Sequence, residues 1–265
     1  MHWKNKVVII TGSSRGIGWE LTNQLLNSGA IVVINSRNNE TLQTKYFELK
    51  SKGFSVLALS GDISNYDDCE GMIKNTIDQF GKIDVLINNA GLSAESNAFD
   101  DININVFQKL VNVNFIGSVN MTKTALPFIK QSNGSVLFIS SLAGLHGLGN
   151  YSAYCSSKMA LTGFVESLRI ELKNQNVHIG IAYVGFTQND NNKTVLDKNG
   201  NLIPQKAIMN VKPKPVYNVA NQLIRMIEKR KDKKIFTGKG FLLFFLSRFF
   251  PGVLNLILLK LYKKQ

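Results

Sequence analysis

The chain contains 265 residues, of which 44% are hydrophobic and 18% are charged, with 21 Gly and 5 Pro. This length and composition fit one large α/β domain and exclude mini-proteins, fibres, repeat arrays and disordered chains. The two cysteines, Cys69 and Cys155, lie far apart in the sequence. They lack metal-ligand spacing, so we expect neither a disulfide framework nor a metal site, and a reducing compartment such as the cytoplasm fits best.

The net charge of +13 is concentrated at one end of the chain. Residues 201–265 hold eleven Lys and three Arg against two acidic residues, a net charge of +12, which leaves +1 for residues 1–200. Nucleic-acid binding would need basic and aromatic side chains spread across a folded face, so no nucleic-acid partner is expected. Residues 1–6 contain no long apolar stretch, so a secretory signal is not expected.

Short β-rich segments alternate with helical segments up to residue 184, which predicts a parallel sheet with helices on both faces. The predicted strands cover residues 6–11, 30–35, 54–59, 84–88, 135–140 and 177–184. The first predicted helix ends near residue 28, and the later ones cover about 39–52, 67–80, 106–131 and 151–173. The predicted fold class is therefore α/β, a single doubly wound Rossmann-type domain over residues 1–238.

Two segments depart from this alternation. Residues 185–215 are rich in Asn, Lys and Pro and form a long insertion after the sixth strand. Long loops in a compact domain are usually functional, so this segment is predicted to be a lid over the substrate. Residues 239–265 form a hydrophobic and basic C-terminal extension.

A glycine-rich turn follows the first strand, in the pattern Thr11-Gly-x-x-x-Gly-Ile-Gly18. Glycines where a strand gives way to a helix let the backbone approach a pyrophosphate at the helix N-terminus, although an ordinary tight turn has the same composition. The second strand ends in Asn35-Ser-Arg37, with no carboxylate to bind a ribose 2′-hydroxyl, and Arg15 lies within the turn. Two guanidiniums could hold a 2′-phosphate, which favours NADP(H), whereas each Arg alone is also explained as a solvated surface charge.

Two further motifs follow, Asn88-Asn-Ala-Gly91 after the fourth strand and Tyr154-x-x-x-Lys158 beyond the fifth. Together with the glycine turn, they resemble the short-chain dehydrogenase/reductase family over roughly residues 5–190. The resemblance implies an oxidoreductase with a nicotinamide cofactor, in which Asp62 contacts the adenine. The predicted cofactor-binding residues are Gly12, Ser14, Arg15, Gly16, Ile17, Gly18, Ser36, Arg37, Asp62, Ile63, Asn89, Ala90, Gly91, Gly185 and Thr187.

The family pattern breaks after the sixth strand, where the family usually has Pro-Gly followed by a Thr that binds the nicotinamide carboxamide. This chain has Val184-Gly-Phe-Thr-Gln188 instead. Without the Pro, the loop loses a fixed φ angle and gains a backbone donor. Thr187 is the residue expected to supply the carboxamide contact.

Tyr154 and Lys158 are four residues apart on a predicted helix and therefore share one face. Reducing a ketone leaves an alkoxide that must be protonated, and a Tyr with an ordinary pKa of about 10 is poorly suited to this at neutral pH. A neighbouring ammonium favours the phenolate and is expected to lower the pKa of the phenol. The resemblance implies that Lys158 also holds the nicotinamide ribose.

The resemblance implies two further catalytic residues. Ser141 would hydrogen-bond the substrate carbonyl, with Ser140 as the neighbouring alternative, and Asn114 would support a proton relay near Lys158. Each of these side chains alone has an ordinary structural explanation, but their joint spacing favours a catalytic set of Asn114, Ser141, Tyr154 and Lys158.

The C-terminal extension contains a run of large apolar residues over 241–259, followed by Lys263-Lys264. Arg248 and Pro251 interrupt this run, so a membrane span is not favoured and two short helices broken at Pro251 are expected. Such helices could lie in the headgroup region as a peripheral membrane contact. The alternative is that they cover a subunit interface or the substrate pocket of a soluble protein.

These observations predict an NADPH-dependent reductase that converts a ketone or aldehyde to an alcohol, with Tyr154 as the general acid. The apolar extension favours a hydrophobic substrate such as a long-chain 3-keto lipid or a sterol. The alternative is a catalytically silent NADP(H)-binding regulatory protein of the same fold. A homo-oligomer in the cytoplasm is expected, at the cytoplasmic face of a membrane if the extension binds lipid.

Overall fold

The computed structural model describes residues 2–188, 193–205 and 213–262. The strands, in chain order, are β1 (Val7–Ile10), β2 (Ile31–Ser36), β3 (Val56–Ser60), β4 (Val85–Asn88), β5 (Ser135–Ser141), β6 (His178–Val184), β7 (Thr194–Leu196), β8 (Leu202–Pro204) and β9 (Lys233–Ile235). Seven of them form one sheet in the order β3-β2-β1-β4-β5-β6-β9, and every pair in it is parallel. The remaining two, β7 and β8, form an antiparallel hairpin.

Helices cover both faces of the sheet. They are α1 (Gly16–Asn27), α2 (Asn39–Ser51), α3 (Tyr66–Phe80), α4 (Ile104–Val111), α5 (Gly117–Gln131), α6 (Ser152–Glu171), α7 (Val216–Glu228), α8 (Gly238–Phe249) and α9 (Pro251–Tyr262). One core lies between the sheet and α1, α2 and α7, and a second lies between the sheet and α3, α5 and α6. A π-helical turn over Asn112–Ile116 joins α4 to α5.

The central strands are apolar because both of their faces are buried. Along β1, Val8 and Ile10 belong to the first core, whereas Val7 and Ile9 belong to the second. A parallel strand with helices on both sides needs an almost continuous apolar run, because successive side chains point to opposite faces. Polar side chains are therefore displaced to the ends of the strands.

The predicted α/β fold with a parallel sheet is confirmed. The sequence pattern does not reveal β9, because this edge strand reads Lys233-Lys-Ile235 and has no apolar run. In the segment predicted to be a lid, residues 193–205 contain the β7–β8 hairpin rather than an irregular loop. Residues 189–192 and 206–212 of that segment lie outside the described residues, and its role as a lid stays a prediction.

The C-terminal helix pair, α8 and α9, packs on residues 142–150, which we call the β5–α6 connection. A Cβ at Gly240, in the first turn of α8, would lie 2.4 Å from Leu142 Cδ2. At the other end of the pair, the Tyr262 hydroxyl donates a hydrogen bond of 3.3 Å to the Asn150 side chain. Within the described part of the chain, no helix is both long enough and apolar enough to cross a membrane.

A buried histidine, His178, begins strand β6 with 5% of its surface exposed. Burial lowers the pKa of His178, and the charges of Arg230 and Arg169 act in the same direction. The Lys231 carbonyl and the Asp232 carboxylate act in the opposite direction but do not restore the ordinary value. The imidazole is therefore held neutral in the folded protein.

We predict that acid destabilises the protein through His178. Below the ordinary His pKa of about 6.5, His178 binds a proton in the unfolded chain more readily than in the folded protein. The free energy of unfolding therefore decreases as the pH is lowered. Urea unfolding between about pH 7.5 and about pH 5.5 should show a shallower fall for His178→Gln than for the wild type. His2→Gln, which changes an exposed histidine, is the control, and parallel curves for wild type and His178→Gln would contradict the prediction.

Candidate active site

The glycine turn between β1 and α1 is clamped onto the end of β4. The Thr11 hydroxyl oxygen accepts hydrogen bonds of 3.0 Å from the backbone N–H groups of Asn89 and Ala90. The Asn89 amide donates hydrogen bonds of 2.9 Å to the carbonyls of Thr11 and Gly12. At Gly12, which has a φ of +61°, a Cβ would lie 2.8 Å from Ala90 Cα, and at Gly18 it would lie 2.4 Å from the Gly12 carbonyl oxygen. Only glycine fits these two positions.

The same turn has the form of a cofactor cradle. Bare backbone with the N-terminus of α1 behind it fits the pyrophosphate of a dinucleotide. Ser14 lies within the turn, and its Oγ is 3.3 Å from Ser36 Oγ at the end of β2. Gly16 and Ile17 are the first two residues of α1, and the Arg15 side chain just before them is exposed.

The end of β2 places a cation at the surface and an amide in the interior. Asn35 is buried, and its side chain donates to the carbonyls of Leu59 and Gly61 at 3.1 and 3.2 Å. Arg37 lies further out, with Nη1 3.6 Å from Asp62 Oδ2. The predicted cation for a 2′-phosphate and the predicted adenine contact are therefore neighbours, a pairing that the sequence alone does not reveal.

Asp62 is ionised in this arrangement. Burial raises its pKa, but hydrogen bonds from Ser64 and the charge of Arg37 outweigh that effect, so the pKa lies below the ordinary Asp value. Ser64 donates to Asp62 Oδ1 from its hydroxyl at 2.7 Å and from its backbone N–H at 2.9 Å. Ile63 has a buried side chain packed near Gly117, so only its backbone is available to a cofactor.

Asn114 lies in the π-helical turn and is fully buried. Its amide nitrogen donates to the Leu92 carbonyl at 3.0 Å and to Ser157 Oγ at 2.9 Å, and its oxygen accepts from the Leu92 N–H at 2.7 Å. The π turn interrupts the regular helical hydrogen bonding at this point, as such turns often do at functional sites. Asn114 thereby ties the segment after Gly91 to helix α6.

The two serines at the end of β5 have different surroundings. Ser141 Oγ accepts a hydrogen bond of 3.3 Å from the Ala143 N–H, and the hydroxyl lies close enough to Tyr154 to oppose the effect of burial on the pKa of the phenol. Ser140 is buried and donates to the Lys158 backbone carbonyl at 3.2 Å. Of these two alternatives, Ser141 is the one directed at the phenol, whereas Ser140 fixes the position of α6.

Tyr154 and Lys158 both point from α6 towards the end of β5. Lys158 Nζ donates to the Ile139 carbonyl at 3.3 Å, and a Cβ at Gly91 would lie 3.3 Å from the same ammonium. Burial, followed by the charge of Lys193, lowers the pKa of Lys158 to about 8.

The expected net lowering of the Tyr154 pKa is not found. Burial raises the pKa of the phenol above the ordinary Tyr value, and the Ser141 hydroxyl offsets only part of that effect. The physical reason is that the phenol is enclosed, so removal of water from the phenolate outweighs the local attractions. Tyr154 is therefore a protonated phenol at neutral pH.

The loop after β6 is tied to the start of the C-terminal region. A Cβ at Gly185 would lie 2.9 Å from Thr237 Cγ2, and the Thr187 hydroxyl donates to the Gly185 carbonyl at 3.2 Å. The backbone around Thr187 pairs with Lys214, which accepts from the Gln188 N–H at 2.8 Å. The Thr187 hydroxyl thus faces its own loop rather than the catalytic side chains.

Sequence reasoning missed three residues that shape this site. Thr11 and Ser157 act through the hydrogen bonds described above. The position of Thr11 as the first residue of the glycine motif is a signal that could have identified it. Lys193 interacts electrostatically with both Arg15 and Lys158. No local pattern marks this lysine, because the contact depends on the β7–β8 hairpin.

The profile of the short chain dehydrogenase family matches residues 6–200. The chain therefore belongs to the short-chain dehydrogenase/reductase family of oxidoreductases. A relative from Arabidopsis thaliana, the 11-beta-hydroxysteroid dehydrogenase-like protein 4A, is 38% identical over 188 residues, which is 70% of this chain and 62% of the relative. The 3-ketodihydrosphingosine reductase of Bos taurus is 36% identical over 182 residues, or 66% of this chain and 54% of the relative. The chain thus matches less than two thirds of the length of these relatives.

The fold is also similar to a solved short-chain dehydrogenase/reductase from Burkholderia phymatum, determined in complex with NAD. The TM-score is 0.77, and the match covers 89% of this chain and 90% of the other at 20% identity. At that level of identity the likeness establishes only the shared architecture. The choice between NAD(H) and NADP(H) depends on this chain's own residues.

Proposed function

We propose that the protein is an NADPH-dependent reductase of a hydrophobic ketone or aldehyde. The observation that carries this proposal is the convergence of Ser141, Tyr154 and Lys158 at the end of β5. Lys158 lies beside Gly91, which follows β4, and the end of β4 also clamps the glycine turn. A carbonyl group and a dinucleotide would thus meet at one edge of the sheet.

When bound, the reduced nicotinamide would supply the hydride that adds to the carbonyl carbon. Tyr154 donates its proton to the carbonyl oxygen, and Ser141 donates a hydrogen bond to the same oxygen, so hydride and proton together give the alcohol. The raised pKa of Tyr154 supports the reductive direction, because the phenol carries its proton at neutral pH. Lys158 stabilises the phenolate that remains, and Asn114 fixes α6 through Ser157.

The preference for NADPH is argued from charge. Arg37 is half exposed at the end of β2 and Arg15 is exposed within the glycine turn, which supports pairing of a guanidinium with a 2′-phosphate. Asp62 holds Arg37 near the site, but its carboxylate would compete with a 2′-phosphate for the guanidinium. This competition limits how strongly Arg37 can favour NADPH over NADH. The carboxylate that would bind a free 2′-hydroxyl is absent from the described end of β2 itself, Asn35-Ser-Arg37.

A hydrophobic substrate is supported by the position of the C-terminal helix pair. Both ends of the pair contact the β5–α6 connection, which leads directly from Ser141 towards Tyr154. The names of the two relatives refer to hydroxysteroids and to a long-chain sphingoid ketone. A sterol ketone or a long-chain 3-keto lipid is therefore the substrate class that we propose.

The same helix pair is proposed to dock on an anionic membrane surface, at the cytoplasmic face. The apolar side chains that it exposes are Phe241, Leu242, Phe245, Phe249, Phe250, Val253, Leu256, Ile257, Leu259 and Tyr262. A basic cluster adjoins them. Burial, followed by the charges of Lys231, Lys214, Arg225 and Lys229, lowers the pKa of Lys234. The preceding lysine of β9, Lys233, has its Nζ 5.1 Å from the ring centre of Phe244 in α8. Apolar helices bordered by cations suit an interface rich in acidic lipid.

Replacing Tyr154 with Phe tests the reductase. Loss of the proton donor should lower the rate of NADPH oxidation with an active ketone by at least about 100-fold, while the Kd for NADPH stays near the wild-type value. Tyr151→Phe is the matched control, because Tyr151 lies one turn earlier with Cys155 rather than Lys four residues on. Near-normal turnover by Tyr154→Phe would remove the catalytic assignment. A wild-type protein that binds NADPH but turns over no carbonyl in a panel of sterol ketones, 3-keto lipids and small aldehydes would instead fit the regulatory alternative.

Arg37→Gln tests the choice of cofactor. The Kd for NADPH should rise about tenfold, the effect expected from one charge-assisted contact, whereas the Kd for NADH should change little. Fluorescence titration of both reduced cofactors measures this, with Lys50→Gln at the far end of α2 as a charge-matched control. Equal weakening of NADPH and NADH would show that Arg37 does not recognise the 2′-phosphate.

Membrane docking is tested with Phe249→Asp/Leu256→Asp. These side chains are 63% and 64% exposed, and the fraction of protein floating with phosphatidylserine-containing vesicles should fall at least about tenfold. The control, Phe47→Asp/Phe99→Asp, changes side chains that are 64% and 66% exposed elsewhere on the surface. Absence of wild-type flotation would refute docking. If light scattering showed that the first variant dissociates an oligomer, the helix pair would be assigned to a subunit interface.

A further inference from the structure

A small cavity lies at the beginning of α6 and is lined by residues 151–154, the last of which is Tyr154. Asn97, from the segment between β4 and α4, and Asn150, from the β5–α6 connection, line it as well. The Tyr154 ring packs against an apolar cluster that includes Ala94, another lining residue. The volume open to the centre of a water-sized group is about 10 Å³, which is room for roughly one such group. One oxygen atom of a bound molecule therefore fits beside the proposed proton donor.

The Asn97 side chain carries a hydrogen-bond donor without an acceptor. Its Nδ2 atom is buried, and none of the residues that the structure describes accepts a hydrogen bond from it. The backbone of this residue is fixed, because the Asn97 N–H donates to the Asn150 carbonyl at 2.9 Å. A buried amide nitrogen without a partner is unfavourable, so an acceptor that enters the cavity beside Asn97 would stabilise it.

The first turn of α6 adds backbone donors to the same cavity. The first N–H groups of a helix have no intrahelical acceptor, and no side chain caps this helix at Tyr151. Residues 152–154, which belong to that turn, line the cavity together with Asn97. Side-chain and backbone donors thus adjoin one small space. Glu95 also lines it, so a neutral oxygen suits the cavity better than an anion does.

We infer that this cavity binds a second oxygen of the substrate and that Asn97 recognises it. The inference rests on the proposed function, because it needs a carbonyl substrate with its reacting oxygen at Tyr154. Since Tyr154 itself lines the cavity, the second oxygen lies a few bonds from the reacting carbonyl. A long-chain 3-keto lipid meets this requirement, because the head of its chain carries an oxygen close to the ketone. A sterol ketone with a single carbonyl does not.

The test compares two ketones with the full chain and NADPH. Methyl 3-oxododecanoate carries a second oxygen close to the ketone, and dodecan-3-one lacks the ester that supplies it. Asn97→Leu should lower kcat/KM for the keto ester about tenfold, the effect of about one hydrogen bond, and leave dodecan-3-one within about twofold of the wild type. Because each variant is compared with the wild type on the same ketone, the intrinsic reactivities of the two compounds cancel.

Two further variants serve as controls. Asn97→Ser keeps a polar donor at this position, so its loss on the keto ester should be smaller than that of Asn97→Leu. It also makes the same comparison if Asn97→Leu does not fold. Asn105→Leu, which changes an exposed Asn in α4, should leave kcat/KM for both ketones unchanged.

Several results would overturn the inference. Unchanged turnover of the keto ester by Asn97→Leu would show that the amide binds a structural water only. An equal loss on both ketones, with a lowered melting temperature, would assign Asn97 to the architecture of the site instead of to a second oxygen. A wild-type protein that reduces other carbonyls but not the keto ester would refute this inference alone, whereas one that reduces no carbonyl at all would refute the proposed function.

Discussion

The whole site depends on one constraint, the burial of a parallel sheet on both faces. Because apolar side chains must fill both sides of each strand, polar groups appear only where the strands end, and parallel strands all end at the same edge. The glycine turn follows β1, Asn89 follows β4 and Gly185 follows β6, while β5 ends at Ser141. The Thr11–Asn89 hydrogen bonds then lock two of these ends together. The proposed cofactor cradle and the candidate catalytic residues are neighbours because polar groups can lie only at this edge of the sheet.

This constraint also explains what could be predicted from the sequence. The six strands from β1 to β6 can be recognised in the sequence as apolar runs, and the catalytic candidates follow those runs at fixed spacing. Strand β9 does not, because an edge strand needs only one buried side and tolerates Lys233 and Lys234. Helix α7 could have been predicted from the apolar spacing of residues 219–227, which pack against α1. It lies beyond the family motifs.

Contacts between distant segments were not predictable in the same way. Asp62 belongs to the segment after β3 and Arg37 to the segment after β2, and only the packing of the two strands shows that they pair. Lys193 is an ordinary lysine in a polar segment of the sequence, and only the tertiary structure brings its charge near enough to act on Lys158. Local patterns specify which side chains lie at the edge of the sheet, but the charges that each of them meets are set by tertiary structure.

The electrostatics of the catalytic pair follow from this difference. The four-residue spacing predicts that Lys158 acts on Tyr154, yet burial moves the two groups in opposite directions, raising the pKa of the phenol and lowering that of the amine. Each shift favours the uncharged form, because an enclosed site penalises either charge. The charge of Lys193 adds to the effect of burial on Lys158, so two separate features of the tertiary structure, the enclosure of α6 and the segment that leads into β7, set the pKa of this lysine. Four-residue spacing on a helix carries no information about either of them.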